Sequence, residues 1–280
     1  MHSLSVPAHS KQLVVDIPAE HVLQVTFNRP EVLNAMNPTM TSDMEAVLKS
    51  FEQEPELWVL IVAGDGRLFC AGADLKAWND ELQGGQDSVE GQHRTFMDQY
   101  GFASLSKRQS RKPIIAAVTG GAYGGGVELL LNCDLVVADA SSKFALPEVK
   151  RGVIAGAGGI PRLFNASGHQ RASEMLLLGG TISVEDARDR FGFVNYIVPR
   201  AAVLSRALQL AVAITHNSPD AVQATKRGLL LAQRHNVDEA VTKSAMSAES
   251  NRAYGGHNIK EGLQAFAMRR SPKWRNPAKL

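Results

Sequence analysis

The chain has 280 residues, enough to bury roughly three quarters of its unfolded surface without a disulfide or metal staple. Its 30 Lys+Arg against 28 Asp+Glu leave a formal charge of +2, which excludes a global field that recruits nucleic acid or an anionic membrane. An apolar content of 44% excludes a disordered chain, and the two distant cysteines, Cys70 and Cys133, form no C-x-x-C pair and point to a reducing compartment.

The N-terminal residues 1–11 carry neither the apolar stretch of a secretory signal nor the Arg/Ser bias of a transit peptide. Two β-branched apolar runs, 13–17 and 21–27, flank Pro18-Ala19-Glu20 and predict a hairpin. Residues 39–51 place Met44, Val47, Leu48 and Phe51 at i, i+3, i+4 and i+7, the stripe of an amphipathic helix. The unbroken apolar runs 57–62 and 113–118, with 135–138 as a third, suit strands covered on both faces. Helical patterns between them predict an α/β layer architecture.

A polar stretch at 79–94, with Gly84, Gly85 and Gly91, reads as a lid or an ordinary surface loop. Past Gly168 the chain turns helical, with one strand at 194–198 and helices at 203–216, 220–234, 237–250 and 259–270. No run of 18 apolar residues exists, so no membrane span is expected. The organisation expected is a tail at 1–12, a core at 13–200, a helical module at 201–270 and a tail at 271–280. That tail ends in Ala278-Lys279-Leu280, a one-letter variant of the Ser-Lys-Leu peroxisomal address.

There is no G-x-G-x-x-G, Walker, H-E-x-x-H or G-x-S-x-G motif, and the eight histidines form no ligand-spaced pair. Glycine and carboxylate remain. Two glycine-rich turns follow apolar strands, Gly64 to Leu75 and Gly120 to Leu129. Each offers backbone N–H groups at a helix start, which suit an anion or a developing oxyanion. Taken singly, either is simply a tight turn. Glu128 stands among Val127, Leu129, Leu130 and Leu131, where burial of a carboxylate is costly unless it is partnered. Alone it reads as a first-turn acid that complements the helix dipole. Glu148 follows Phe144-Ala145-Leu146-Pro147 and precedes the run Gly156-Ala157-Gly158-Gly159. Two carboxyls beside an oxyanion site can divide proton removal and proton delivery.

Four blocks in order, Asn28-Arg29-Pro30-Glu31 to Asn37, Phe69 to Leu75, Gly124 to Leu129 and Pro147-Glu148 to Gly159, resemble the crotonase (enoyl-CoA hydratase/isomerase) superfamily over most of residues 13–270. The resemblance implies a spiral of ββα units with a C-terminal helical module that builds trimers, commonly paired as hexamers. It implies that the Ala73 and Gly125 N–H groups bind a thioester oxygen. It also implies that Asn34, Ala35 and the 71–76 segment (Ala71, Asp74, Leu75 and Lys76 among them) contact coenzyme A, with Gly124 beside them. Phe266 and Arg269 match residues that meet the coenzyme A nucleotide, often from a neighbouring subunit.

Glutamates at both positions, Glu128 and Glu148, imply a hydratase: syn addition of water to a trans-2-enoyl-CoA, or the reverse dehydration of a 3-hydroxyacyl-CoA. The setting is β-oxidation or, for a branched substrate, biosynthesis. Coenzyme A is part of the substrate, and neither metal nor redox cofactor is implied. The nearest rival is a Δ3-Δ2 enoyl-CoA isomerase in which Glu148 alone shuttles the proton. An RNA-binding role for the basic residues Arg269, Arg270, Lys273, Arg275 and Lys279 is disfavoured by the +2 total charge. A catalytically dead assembly subunit is disfavoured by the intact glutamates and turns. Two departures from the pattern, Ala155 for a frequent Pro and Ile160-Pro161 for a frequent Thr-Gln, change the wall beyond Glu148 and with it the expected acyl group. Tyr123 is a further candidate wall residue, or a partly buried aromatic.

Overall fold

The computed structural model describes residues 7–83 and 99–277. Most of the polar 79–94 stretch and the Ala278-Lys279-Leu280 tripeptide lie outside the described residues.

The hairpin forms from β1 (Leu13–Ala19) and β2 (Val22–Phe27), antiparallel, with Leu13 opposite Phe27. Helix α1 (Pro38–Gln53) follows, its N-cap Asn37 accepting from the Met40 N–H and Pro38 in the first turn. It buries Met40, Met44, Val47, Leu48 and Phe51, which together stabilise the layer by about 10 kcal/mol. Strands β3 (Val59–Gly64), β4 (Ile114–Val118), β6 (Leu135–Asp139) and β9 (Tyr196–Val198) add in parallel beyond β2, giving the order β1-β2-β3-β4-β6-β9. A second small sheet pairs β5 (Gly121–Tyr123), β7 (Lys143–Ala145) and β8 (Thr181–Ser183).

The central strands are apolar throughout because both faces are covered. Side chains alternate between faces with period two. Leu60 and Val62 of β3, with Ile114, Ala116 and Val118 of β4, join α1 in one core cluster. Val59, Ile61, Ile115 and Ala117 face the other way, onto Val203, Ala207 and Ala211 of a long helix, Val203–Thr215. That first helix of the C-terminal region therefore closes the second face of the sheet.

The order of helices after α1 is α2 (Leu75–Gln83), α3 (Gly125–Leu130), α4 (Gly159–Ser167), α5 (His169–Leu178), α6 (Val184–Asp189), α7 (the Val203–Thr215 helix), α8 (Pro219–Ala232), α9 (Val237–Ala245), α10 (Ala248–Gly255) and α11 (His257–Ala267). The single helix expected over 237–250 is two. The chain breaks at Met246 and restarts at Ser247, whose side chain accepts from the Ser250 N–H and caps α10.

A buried lysine ties the C-terminal helices to the sheet. Lys226 of α8 donates to Asp134 Oδ2 at 2.7 Å and to the Lys112 carbonyl at 2.8 Å, while Asp134 also accepts from the Ile114 N–H at the start of β4. The segment after α11 returns to the core, with Trp58 Nε1 donating to Asn276 Oδ1 and Trp274 Nε1 to the His216 carbonyl. Among the described residues no helix is long and apolar enough to cross a membrane.

Candidate active site

The two glycine turns lie side by side because short parallel pairings stitch them together. Phe69 N–H donates to the Gly121 carbonyl and Tyr123 N–H to the Cys70 carbonyl, so Cys70 pairs with Ala122. A Cβ placed on Gly72 would stand 3.7 Å from the Gly125 nitrogen, which measures how near the turns approach.

In the first turn Met36 N–H donates to the Gly72 carbonyl and Asp74 N–H to the Met36 carbonyl, a pairing that passes over the intervening Ala73 N–H. In the second, Gly124 takes φ 54°, ψ −126°, a conformation that favours glycine, and starts α3. Gly125 is the first residue of that helix, where an N–H has no intrahelical acceptor. Any side chain at Gly125 would overlap the Phe102 ring packed on it. Among the described residues neither the Ala73 nor the Gly125 N–H has an acceptor.

Helix α3 carries Glu128 inward, leaving it 4% exposed. Its Oε1 accepts from the Gly159 N–H at 3.0 Å, the first N–H of α4. Burial pushes the Glu128 carboxyl up to about 7, against the pull of the Gly159 and Ala157 backbone and of Arg162; the neighbouring charge of Glu148 pushes the same way as burial. Glu148 opens the turn Glu148–Arg151 after Pro147. Burial raises its carboxyl as well. Its Oε2 is buried with no hydrogen-bond partner among the described residues, and its Oε1 would stand 3.2 Å from a Cβ on Gly124. Glu148 thus leans on the second glycine turn, close enough to Glu128 for each charge to disfavour the other.

A cavity of about 280 Å³ opens from Glu148. Helices α4 and α5 form its far wall. Both departures noted in the sequence fall here, since Ala155 and Ile160 line it.

The other sequence-predicted residues take varied places. Asn34 is fully buried with φ 56°, and its side chain is committed: Oδ1 accepts from the Arg29 N–H, and Nδ2 donates to the Asp65 and Leu68 carbonyls at 2.8 Å each. It shapes the turn next to Ala35 and Ala71, the latter donating its N–H to the Leu33 carbonyl. Asp74 pairs with Arg29 at 3.2 Å and accepts from the Ala77 N–H at the start of α2. Leu75 and Lys76 are exposed beside it. Tyr123 is half-buried and does not line the cavity. Phe266, 86% exposed, and Arg269 do not line the cavity. Sequence reading missed Phe102 and the cavity residues of α5, which carried no local signal. It also missed the pairing duty of Arg29, although Arg29 sits in a quoted block. Among the described residues no group of three or more metal-ligand side chains comes together.

The chain belongs to the enoyl-CoA hydratase/isomerase family, whose model matches residues 18–277. Its fold is the crotonase fold: it superposes on the enoyl-CoA hydratase of Mycobacterium tuberculosis with TM-score 0.84 at 34% identity, covering 95% of this chain and all of that one. It is 40% identical over 283 residues to the mevalonyl-coenzyme A hydratase of Aspergillus fumigatus, covering 99% of this chain and 100% of that protein. The mevalonyl-coenzyme A hydratase of Beauveria bassiana is also 40% identical, over 94% of each chain.

Proposed function

We propose that this chain is an acyl-CoA hydro-lyase that adds water to, or removes it from, the Cα–Cβ bond of a coenzyme A thioester. The observation that carries the reading is a buried Glu128 and a half-buried Glu148, near enough for the charge of Glu148 to raise Glu128, set against two adjoining glycine turns whose Ala73 and Gly125 N–H groups have no acceptor among the described residues. In hydration, the Ala73 and Gly125 N–H groups donate to the thioester oxygen and stabilise the enolate charge, each donor contributing about 3 kcal/mol in the transition state. Glu128 takes a proton from water as its oxygen bonds to Cβ, and Glu148 delivers a proton to Cα. Dehydration runs the same steps backward. Coenzyme A enters as part of the substrate, and no separate cofactor is needed for this chemistry.

The two mevalonyl-coenzyme A hydratase relatives support a branched 3-hydroxyacyl-CoA as substrate. Coenzyme A itself is read as lying along the segment from Ala71 to Lys76, with Phe266 and Arg269 supplied by a second copy. Exposed apolar residues on the C-terminal helices, including Val237, Val241, Tyr254, Leu263 and Phe266, support a homo-oligomer, read as a trimer or a dimer of trimers. The Ala278-Lys279-Leu280 ending supports a peroxisomal address.

The test is the change in enoyl-thioester absorbance with crotonyl-CoA, a branched 2-enoyl-CoA and a 3-enoyl-CoA in parallel. The expected result is formation of 3-hydroxyacyl-CoA, slowed roughly 10²–10⁴-fold in Glu148→Gln with thioester binding retained. Turnover of the 3-enoyl-CoA alone, unaffected in Glu128→Gln, would make the protein an isomerase instead.

A further inference from the structure

The cavity that opens from Glu148 is walled almost entirely by hydrocarbon, including Leu146, Ile154, Ile160 and Phe164. Such a wall accepts an acyl chain. Two polar side chains interrupt it, both on α5: His169 at its first position and Ser173 one turn on. Residues at i and i+4 share a helix face, so the two present one polar patch to the cavity. The Phe164 ring meets the His169 ring edge-on, with centroids 6.3 Å apart, which restrains the imidazole. Among the described residues neither side chain has a hydrogen-bond partner. His169 is exposed and Ser173 half-buried, so a purely hydrocarbon acyl chain laid over this patch would strip their water and replace it with nothing, at a cost in binding.

Resting on the hydro-lyase reading above, we infer that His169 and Ser173 hydrogen-bond a hydroxyl carried on the acyl chain beyond the reacting carbons, so that the site selects a hydroxylated, branched acyl-CoA. The hydroxyl donates to one of the two side chains and accepts from the other, and among the described residues of the far wall these are the polar side chains that can do so. The departures Ala155 and Ile160 on the same cavity agree with a wall built for a particular acyl group rather than a generic straight chain.

The test uses the full-length protein and two thioesters that differ only in that hydroxyl: 3,5-dihydroxy-3-methylpentanoyl-CoA and 3-hydroxy-3-methylpentanoyl-CoA. Formation of the enoyl thioester gives kcat/KM for each, and the ratio within one protein sample is its own control for damage. The wild type is expected to prefer the dihydroxy substrate about tenfold, the size of a well-made neutral hydrogen bond in a partly open site. The His169→Leu/Ser173→Ala double variant is expected to bring that ratio to about one. The single variant Ser173→Ala serves if the double variant does not fold, with an intermediate ratio expected. A wild-type ratio near one, or a ratio unchanged by the substitutions, overturns the inference. A wild type that hydrates crotonyl-CoA yet turns over neither branched thioester overturns it too, leaving the hydro-lyase reading in place. Silence on all thioesters would instead remove that reading.

Discussion

Glu128 makes stability and pH pull against each other. A carboxyl with an ordinary value of 4.5 that is pushed up to about 7 in the folded state holds its proton where the unfolded chain has lost it. Between those two pH values folding takes up a proton, so this contribution to stability is full below about 4.5, falls as pH rises through 7, and is gone above it. The loss amounts to about 3 kcal/mol for a group that is 4% exposed. Glu128→Gln keeps the shape and the acceptor for the Gly159 N–H while removing the titration. The variant should therefore gain on the wild type from pH 5 upward and level off above pH 7, by about 2.5 kcal/mol over the range 5 to 8, even as it loses hydration. Urea unfolding at fixed protein concentration across that range gives the difference curve directly. A flat difference, or a wild type that gains on the variant as pH rises, would mean that Glu128 is ionised in the folded protein at little cost, and would refute this pH linkage.

Gly125→Ala is expected to lower kcat about 10²-fold or more and to cost about 1–3 kcal/mol of stability, since the new methyl must displace the Phe102 ring or move the N–H at that position; steady-state kinetics on the folded fraction beside a thermal melt separates the two effects. Lys226→Met should destabilise the chain by about 1–2 kcal/mol by removing the donor to Asp134 and to the Lys112 carbonyl, the Asp134 carboxylate remaining open to water, and the loss should appear in urea unfolding rather than in KM.

The layers were legible because the strands announce themselves. Runs such as 57–62 and 113–118 have no polar face, and only a sheet covered on both sides uses them so. The break inside 237–250 was not legible from periodicity, which runs straight through Met246; its one local signal was Ser247, a good cap three residues before Ser250. Glu128 stood out as a charge in an apolar run. Its partner did not, because the Gly159 N–H lies 31 positions further along and reaches Glu128 only through the packing of α4 on α3. Asn34 shows the opposite difficulty: its quoted block is conspicuous, yet nothing in it announces that the side chain is bound into the turn by Arg29, Asp65 and Leu68. His169 and Ser173 look like ordinary helix residues until the cavity is drawn around them.

The placement of the two carboxyls also explains how one site serves both directions of the proposed reaction. Hydration needs Glu128 ionised to accept a proton from water and Glu148 protonated to give one to Cα. Dehydration needs the reverse. Both states carry a single proton on the pair, and because adding water consumes no net proton, kcat/KM must follow the same pH profile in both directions. Two independent carboxyls with ordinary values near 4.5 would be almost wholly ionised at neutral pH and could not supply that form. Burial raises both Glu128 and Glu148, and the repulsion between them separates the loss of the first proton from the loss of the second. The singly protonated pair is thereby kept populated toward neutrality, and the destabilisation that burial of Glu128 imposes on the fold is the same effect seen from the side of stability.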